Sequence, residues 1–215
     1  MRITKLLFVF SLVAYTCLVG AEEYSSCGSL DNPYGPYDYT NPLDKKFKLP
    51  VVDGHHFDSD VENLIHGQSG SIIADLDFTL RAFPNHHRAL NTVARYQLSG
   101  GDMKGFYSAE CYFERALRFK PNDGVVYLIQ GNFYYKKGDF KSALQSYKKA
   151  LEIMPSSAEV NYNLGLLFVK LGKYSKARKF AIQAYKRRYP MAGLKEQLEK
   201  SGHWSIDDEK IISTP

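Results

Sequence analysis

The sequence lacks the short motifs that carry the common enzyme chemistries. It contains no Gly-x-Ser-x-Gly turn for a nucleophilic serine, no glycine-rich loop for phosphates, no His-Glu-x-x-His and no Cys-x-x-Cys. We therefore predict no catalytic residues, no cofactor and no bound metal. This leaves a function that depends on binding.

Long apolar runs are also scarce, and the one that exists stands at the start of the chain. Leu6 to Val19 is almost unbroken, follows the basic residues Arg2 and Lys5, and ends at the small residues Gly20 and Ala21. This pattern is typical of a secretory signal peptide, which we assign to residues 1–21. Since no later segment is apolar enough to span a bilayer, we expect an exported chain without a membrane span, periplasmic or otherwise extracytoplasmic.

An excess of one charge sign is missing as well. The 215 residues are 44% hydrophobic and 24% charged, and the formal net charge is only +5. The composition suits one modest globular domain. The small positive charge predicts no nucleic-acid partner.

Cysteine is rare, with three in the whole chain. Cleavage after residue 21 would remove Cys17 and leave Cys27 and Cys111 in an oxidising compartment, where paired thiols tend to form disulfides. A disulfide would fix the N-terminal segment to the rest of the protein. The alternative is two unpaired thiols, with Cys111 a small buried helix residue.

A repeat of 34 residues is the strongest signal that the sequence does contain. The segment from Gly124 to Pro155 aligns without gaps to the segment that begins at Ala158. Small or aromatic residues coincide in five pairs, namely Gly131 and Gly165, Tyr134 and Phe168, Gly138 and Gly172, Ala143 and Ala177, and Ala150 and Ala184. Such periods indicate stacked helical hairpins.

These positions resemble the tetratricopeptide repeat family. The first copy supplies Tyr127, Gln130, Gly131, Tyr134, Ala143, Tyr147, Ala150 and Pro155, and the second supplies Asn161, Leu164, Gly165, Phe168, Ala177, Ala181, Ala184 and, one residue late, Pro190. A weaker upstream copy has three extra residues in its loop and supplies Leu90, Val93, Ala94, Gln97, Ala109, Phe113, Ala116 and Pro121. The resemblance, to exported bacterial members of uncharacterised role, implies an all-α solenoid with repeats at about 87–123, 124–157 and 158–190.

The rest of the helical domain, residues 71–200, is predicted to close the two ends of the solenoid. Apolar spacing from Ser71 to Phe83 predicts a helix at one end. At the other end a helix after Pro190 is predicted to turn Leu194 and Leu198 inward. The Asn or Ser after each repeat-ending proline, as in Pro84-Asn85, is predicted to cap the next helix.

The flanking segments are predicted to have little regular structure. Residues 22–70 are rich in Tyr, Pro, Gly and Asp up to Phe57, which favours irregular chain, with a short helix from about Asp58 to His66 capped by Asp58 or Ser59. The tail, residues 201–215, is expected to fray from Ser205.

The family resemblance also implies a groove along the first helices of the repeats, which would bind a protein or peptide. We take as groove residues Arg88, Asn91, Arg95, Asn132, Tyr135, Lys136, Tyr162, Asn163, Leu166 and Lys170. The amide groups of Asn132 and Asn163 are suited to a peptide backbone, and their joint replacement by Ala is expected to spare stability. Leu128 stands where a Lys would bind a carboxylate, so chaperone-tail binding is not predicted. Each groove residue could instead be merely solvent-facing.

Three other interpretations stay open. The histidines His55, His56, His66, His86 and His87 allow a metal-binding or carbohydrate-active protein, although their spacing fits no common zinc site. A structural subunit could have its groove filled by residues 22–57. The basic last hairpin could contact an acidic partner or simply be solvated. The oligomeric state is left open.

Overall fold

The computed structural model describes residues 27–213, and all regular structure within that range is helical. The predicted signal peptide, residues 1–21, lies outside the described residues. The helices are α1 Pro42–Phe47, α2 Leu49–His56, α3 Ser59–Glu62, α4 Ile72–Ala82, α5 His87–Leu98, α6 Ala109–Phe119, α7 Gly124–Lys137, α8 Phe140–Ile153, α9 Ala158–Lys170, α10 Tyr174–Lys186, α11 Gly193–Lys200 and α12 Ile206–Ser213.

Three helical hairpins form the body of the protein. They are α5 with α6, α7 with α8, and α9 with α10, and the first helices pack side by side, α5 on α7 and α7 on α9. The all-α, tetratricopeptide-type solenoid predicted from the repeat is therefore confirmed. The three extra residues of the first repeat lie in the loop between α5 and α6, where an insertion leaves the packing of the helices intact.

The helix caps differ by one residue from the prediction. His86, Asp123 and Ser157 are the N-caps of α5, α7 and α9, and each side chain accepts a hydrogen bond from a backbone N–H of the first turn. Asn85, which was predicted as a cap, is instead fully buried. The prediction was wrong because each cap lies two residues after the proline rather than one.

The repeated glycines mark the closest approaches between helices. A Cβ at Gly131 would lie 2.4 Å from the Tyr147 ring, so only glycine lets α8 approach α7 this closely. A Cβ at Gly165 would lie 2.4 Å from Leu194 of α11. The equivalent of Tyr147 in the last repeat is the small Ala181, and the side chain from α11 fills that space.

The apolar core runs continuously through the stack. One cluster joins α4 to α7 and includes Leu76, Leu90, Phe113 and Phe133. A second joins α7 to α11, and Tyr134 of α7 borders both. Each hairpin thus buries its apolar faces on its neighbours, which is how repeat proteins gain stability.

Both ends of the stack are covered by helices. α4 has Ser71 as its cap and packs on α5, as predicted. α11 buries Leu194 and Leu198 completely, also as predicted. The prediction of a frayed tail was wrong, because α12 packs against α10 and buries Asp208 beside Arg178.

The prediction of irregular chain up to Phe57 was also wrong in part. Asn41 caps α1 by accepting from two backbone N–H groups, and Pro42 and Pro50 stand in the first turns of α1 and α2, where no backbone donor is needed. The predicted helix from Asp58 to His66 is shorter, Ser59–Glu62, and Asp58 is its cap. These helices are too short to be stable alone and depend on tertiary contacts.

A candidate binding face on α5, α7 and α9

The predicted groove residues lie on the first helices of the three repeats. Because α5, α7 and α9 are neighbours and share a 34-residue register, equivalent positions lie side by side on one surface. We call this surface the inner face. Its three parts differ in what they contact, and the differences decide which residues can meet a partner.

The part on α5 contacts another part of the protein. Arg88 Nε donates to a Glu62 carboxylate oxygen at 2.8 Å, and Arg95 donates to the Glu62 backbone carbonyl at 3.1 Å. The hydrogen bond from Arg88 lowers the pKa of Glu62. Arg88 and Arg95 therefore hold α3 in place and use part of their hydrogen-bonding capacity within the protein, although Arg88 remains exposed. Asn91 between them is exposed as well.

Asn132 on α7 has a structural contact. Its side-chain oxygen accepts a hydrogen bond of 2.8 Å from the hydroxyl of Tyr147 on α8. Tyr147 is buried, and that burial raises its pKa. Replacing Asn132 by Ala would leave this hydroxyl unsatisfied and cost roughly 1–2 kcal/mol. The expectation that Asn132 can be removed without loss of stability is therefore not supported.

Tyr162 on α9 belongs to the core. Its ring lies 4.5 Å from the Tyr189 ring and 6.5 Å from the Tyr185 ring, centre to centre, and the residue is buried. The sequence prediction of Tyr162 as a groove residue was wrong, because the chain after α10 returns across α9. That return was missed because Tyr189 precedes the displaced Pro190 and has no counterpart in the family pattern.

Six of the other predicted residues are also accessible on the inner face. Tyr135, Asn163 and Leu166 are partly exposed, while Asn91, Lys136 and Lys170 are exposed. Within residues 27–213, neither lysine forms an ion pair and the Asn163 amide has no hydrogen-bond partner. The combination offers apolar area, amide groups and positive charge to a bound molecule.

A carboxylate adds negative charge to this surface. Glu159 in the first turn of α9 occupies a groove position, and partial desolvation raises its pKa. Its negative charge contributes to the raised pKa values of Tyr147 and Tyr189, so the carboxylate lies near these two side chains. No cation pairs with it in the part of the chain that the structure describes. A basic group on a partner would complement this carboxylate.

The two cysteines of the described residues are joined. Cys27 and Cys111 form a disulfide with sulfurs 2.09 Å and Cα atoms 5.2 Å apart. Arg115 of α6 donates to the carbonyl of Cys27 at 3.0 Å, and Arg118 donates to the carbonyl of Gly28 at 2.6 Å. The disulfide therefore fixes the start of the described chain to α6, away from α7 and α9.

The histidines act as partners of carboxylates rather than as one cluster. His56 contacts Asp75 at 2.8 Å, His86 contacts Asp53 at 3.2 Å, and His87 contacts Asp123 at 2.9 Å.

The His56 pair joins α2 to α4, the His86 pair joins α2 to the start of α5, and the His87 pair joins α5 to the start of α7. Among residues 27–213, no three His, Cys, Asp or Glu side chains come together as metal ligands would. No periodic pattern in the sequence indicates these pairs, since the partners are 19 to 36 residues apart.

A buried polar cluster joins the same segment to the first repeats. Asn85 donates to Asp38 at 2.8 Å and accepts from the backbone N–H of Tyr39 at 2.9 Å. Burial would raise the pKa of Asp38, but hydrogen bonds from Lys120 and Asn85 outweigh it and hold the pKa at about 2. Residues 27–57 thus contact α4 to α6 and the start of α7, and the predicted filling of the groove by this segment does not extend to α9.

The fold and its inner face define a helical repeat protein with a surface open to a partner. Residues 131–178 match the family model described as TPR repeat. The chain therefore carries tetratricopeptide repeats in this part.

Curated relatives agree with this assignment. The BBSome complex member BBS4 of Bos taurus is 37% identical over 75 residues, which are 35% of this chain and 14% of that protein. The Hsp70-Hsp90 organising protein of Plasmodium falciparum is 30% identical over 66 residues, 31% of this chain and 12% of that protein. The anaphase-promoting complex subunit CDC16 of Saccharomyces cerevisiae is 26% identical over 176 residues, 79% of this chain and 20% of that protein.

The chain spans no more than about a fifth of these relatives, so the similarity concerns the repeats. Repeats of this kind form a protein–protein interaction module. Within the described residues, no helix is both long and apolar enough to cross a bilayer.

Proposed function

We propose that the protein is a non-catalytic adaptor or assembly factor of the cell envelope, which binds a protein or peptide along the inner face of α7 and α9. The observation that carries the proposal is the set of accessible, unpaired groups on these two helices. The Asn163 amide and the Glu159 carboxylate have no hydrogen-bond or ion-pair partner in the described chain, and the same two helices also present the partly exposed Tyr135 and Leu166. Such a mixture suits a peptide with an apolar anchor and a basic group.

The relatives support an interaction role, and their names point to assemblies and organising proteins. The envelope location rests on the predicted signal peptide. It is tested by determining the N-terminal residue and the compartment of the protein in its native cell. An intact Met1 in the cytoplasm would contradict the location without touching the binding face.

Binding is tested by a photoreactive amino acid at Leu166, introduced into the full chain in native cells. The expected result is a crosslink to one defined protein, identified by mass spectrometry. The matched control carries the same group at Lys179, an exposed residue of α10. Equal crosslinking from both positions would show non-specific contact and contradict the proposal.

Affinity for the identified partner then tests the residues. Asn163→Ala combined with Glu159→Gln is expected to weaken binding about tenfold, since a few residues of an interface carry most of its energy. Their partial exposure predicts a stability change within about 0.5 kcal/mol. Lys179→Ala is the control and should leave the affinity unchanged.

A second candidate is a structural subunit whose groove is filled by its own chain. The observation that favours it is the contact of α3 with Arg88 and Arg95. Glu62→Ala would free Arg88, whereas Arg95 would keep its bond to the backbone carbonyl of residue 62. If partner binding then rose strongly, α3 would be an occupant of the groove rather than a permanent part of the fold.

A further inference from the structure

Helices α1 and α2 carry a row of exposed apolar side chains. Leu43, Phe47 and Val51 are 67%, 60% and 49% exposed. Their spacing of four residues places them on one side of a helical segment. The segment is nearly continuous, because the Lys48 N–H donates to the Asp44 carbonyl at 2.8 Å at the junction of the two helices. We call this row the apolar ridge.

The apolar ridge is not needed for the core of the protein. The opposite side of the segment already supplies the core contacts, since Leu49 and Val52 are buried with Ala82 and Phe83. The ridge residues lie among the large apolar side chains that the described chain leaves exposed. Exposed apolar groups that gather in one place indicate an interaction surface.

Positive charge surrounds the ridge. Lys45, Lys46 and Lys48 are exposed, and none forms an ion pair in the described part of the chain. The Lys46 ammonium lies 5.1 Å from the centre of the Phe47 ring.

The acidic residues of the same segment contact groups other than these lysines. Asp44 accepts the backbone N–H of Asp38 at 3.0 Å, and Asp53 contacts His86 at 3.2 Å. The surface therefore presents apolar side chains together with lysines that form no ion pair in the described chain.

We propose that the apolar ridge binds the surface of an anionic lipid membrane. Leu43, Phe47 and Val51 enter the boundary between headgroups and acyl chains, and the lysines contact the lipid phosphates. Protruding apolar side chains beside lysines suit a bilayer surface, whereas a partner helix requires a groove. A second copy of the chain would bring the lysines of both copies together, which repulsion disfavours.

The test uses tryptophan fluorescence, because the chain contains a single tryptophan, Trp204. Phe47→Trp adds a reporter on the ridge of the full chain. With vesicles of brominated phosphatidylglycerol, we expect a blue shift and loss of the added fluorescence. Vesicles of brominated phosphatidylcholine should quench it much less. Lys46→Gln and Lys48→Gln, in the reporter background, should each weaken partition about fivefold.

The matched control is Ile206→Trp, since Ile206 is 71% exposed and lies on α12 at the other end of the stack. The fluorescence of this reporter should stay unquenched, even if residues 1–26 themselves associate with the membrane. The proposal is overturned if the tryptophan at position 47 is unquenched, or if neutral and anionic vesicles quench it equally. It is overturned too if its spectrum shifts with protein concentration in the absence of lipid, which would indicate a second copy.

Discussion

The two ends of the helical stack are covered by different means. At the N-terminal end, residues 27–66 attach through a disulfide, histidine–carboxylate pairs and the polar contacts of Asn85. At the C-terminal end, α11 attaches through the buried leucines Leu194 and Leu198, and α12 through the ion pair of Arg178 with Asp208. α11 is held by buried leucines on one face, whereas the N-terminal segment, besides burying Leu49, Val52 and Phe57, adds a covalent bond and histidine–carboxylate pairs. The four predictions below test this difference.

The largest effect is expected from removing the disulfide. Cys27→Ser with Cys111→Ser opens a covalent loop of sequence separation 84, and such a loss should lower the free energy of unfolding by roughly 4 kcal/mol. Chemical denaturation of the parent and the double variant measures it. Adding a reductant should lower the denaturation midpoint of the parent but not that of the variant, because the variant has no disulfide to reduce. An equal midpoint for both proteins would show that the N-terminal end is held by its polar contacts alone.

A smaller loss is expected at the other end from Leu194→Ala. The side chain is fully buried and lies against Gly165, so its truncation leaves a cavity and should cost about 3 kcal/mol. Thermal unfolding measures the loss. Glu196→Ala, on the solvent side of the same helix, is the control and should change little. If Leu194→Ala were also neutral, α11 would not cover the stack as described.

The third prediction concerns pH. Burial lowers the pKa of His86, although the hydrogen bond that its ring donates to Asp53 opposes this. The unfolded chain therefore takes up this proton first as the pH falls below about 6.5, so stability is full above that pH and declines below it. Desolvation acts to raise the pKa of Asp208, but the bonds from Arg178 outweigh it, so the C-terminal end loses this stability only below about pH 4.

Hydrogen exchange from pH 7 to pH 5 measures this difference. Protection of α2 and α5 should fall, while that of α12 should not. His86→Asn keeps a side chain that can cap α5 but removes the titration, so its protection should no longer depend on pH in this range. Persistence of the dependence in His86→Asn would assign it to another group.

The smallest effect is expected from Arg178→Gln. Arg178 is partly exposed, and α12 is a terminal helix that can open locally, so the global stability should change by less than about 1 kcal/mol. The backbone amides of α12 alone should nevertheless lose their protection from hydrogen exchange. Lys179→Gln, its neighbour without an ion pair to α12, is the control. A cooperative loss across the whole chain would mean that α12 is essential for the stack.

The central part of the fold was predictable because its pattern is local and repeated. Gly131 and Gly165 recur at a fixed offset where helices must approach closely, and that spacing alone predicts hairpins. Leu194 and Leu198 were predictable for the same reason, since four-residue spacing defines a buried face. The caps of α5, α7 and α9 were misplaced by one residue, because Asn, Ser, Asp and His near a proline all offer capping groups.

The binding face was predictable only as a list of positions. The 34-residue register identified Asn163 and Leu166 correctly as accessible residues. It did not reveal that Tyr162 is buried or that Arg88 and Arg95 bind α3, because α3 and the chain after α10 lie outside the register and contact the same surface. Contacts between segments far apart in sequence have no periodic signal.

The sequence by itself determined the repeated hairpins, since helix periodicity, glycine at close contacts and proline at helix ends act within one turn or one repeat. Only the tertiary structure decided how the ends are closed and which part of the inner face stays open. The physical reason is that a disulfide, a histidine–carboxylate pair or an aromatic contact depends on distances between remote residues. Those residues come within contact distance only once the hairpins have stacked.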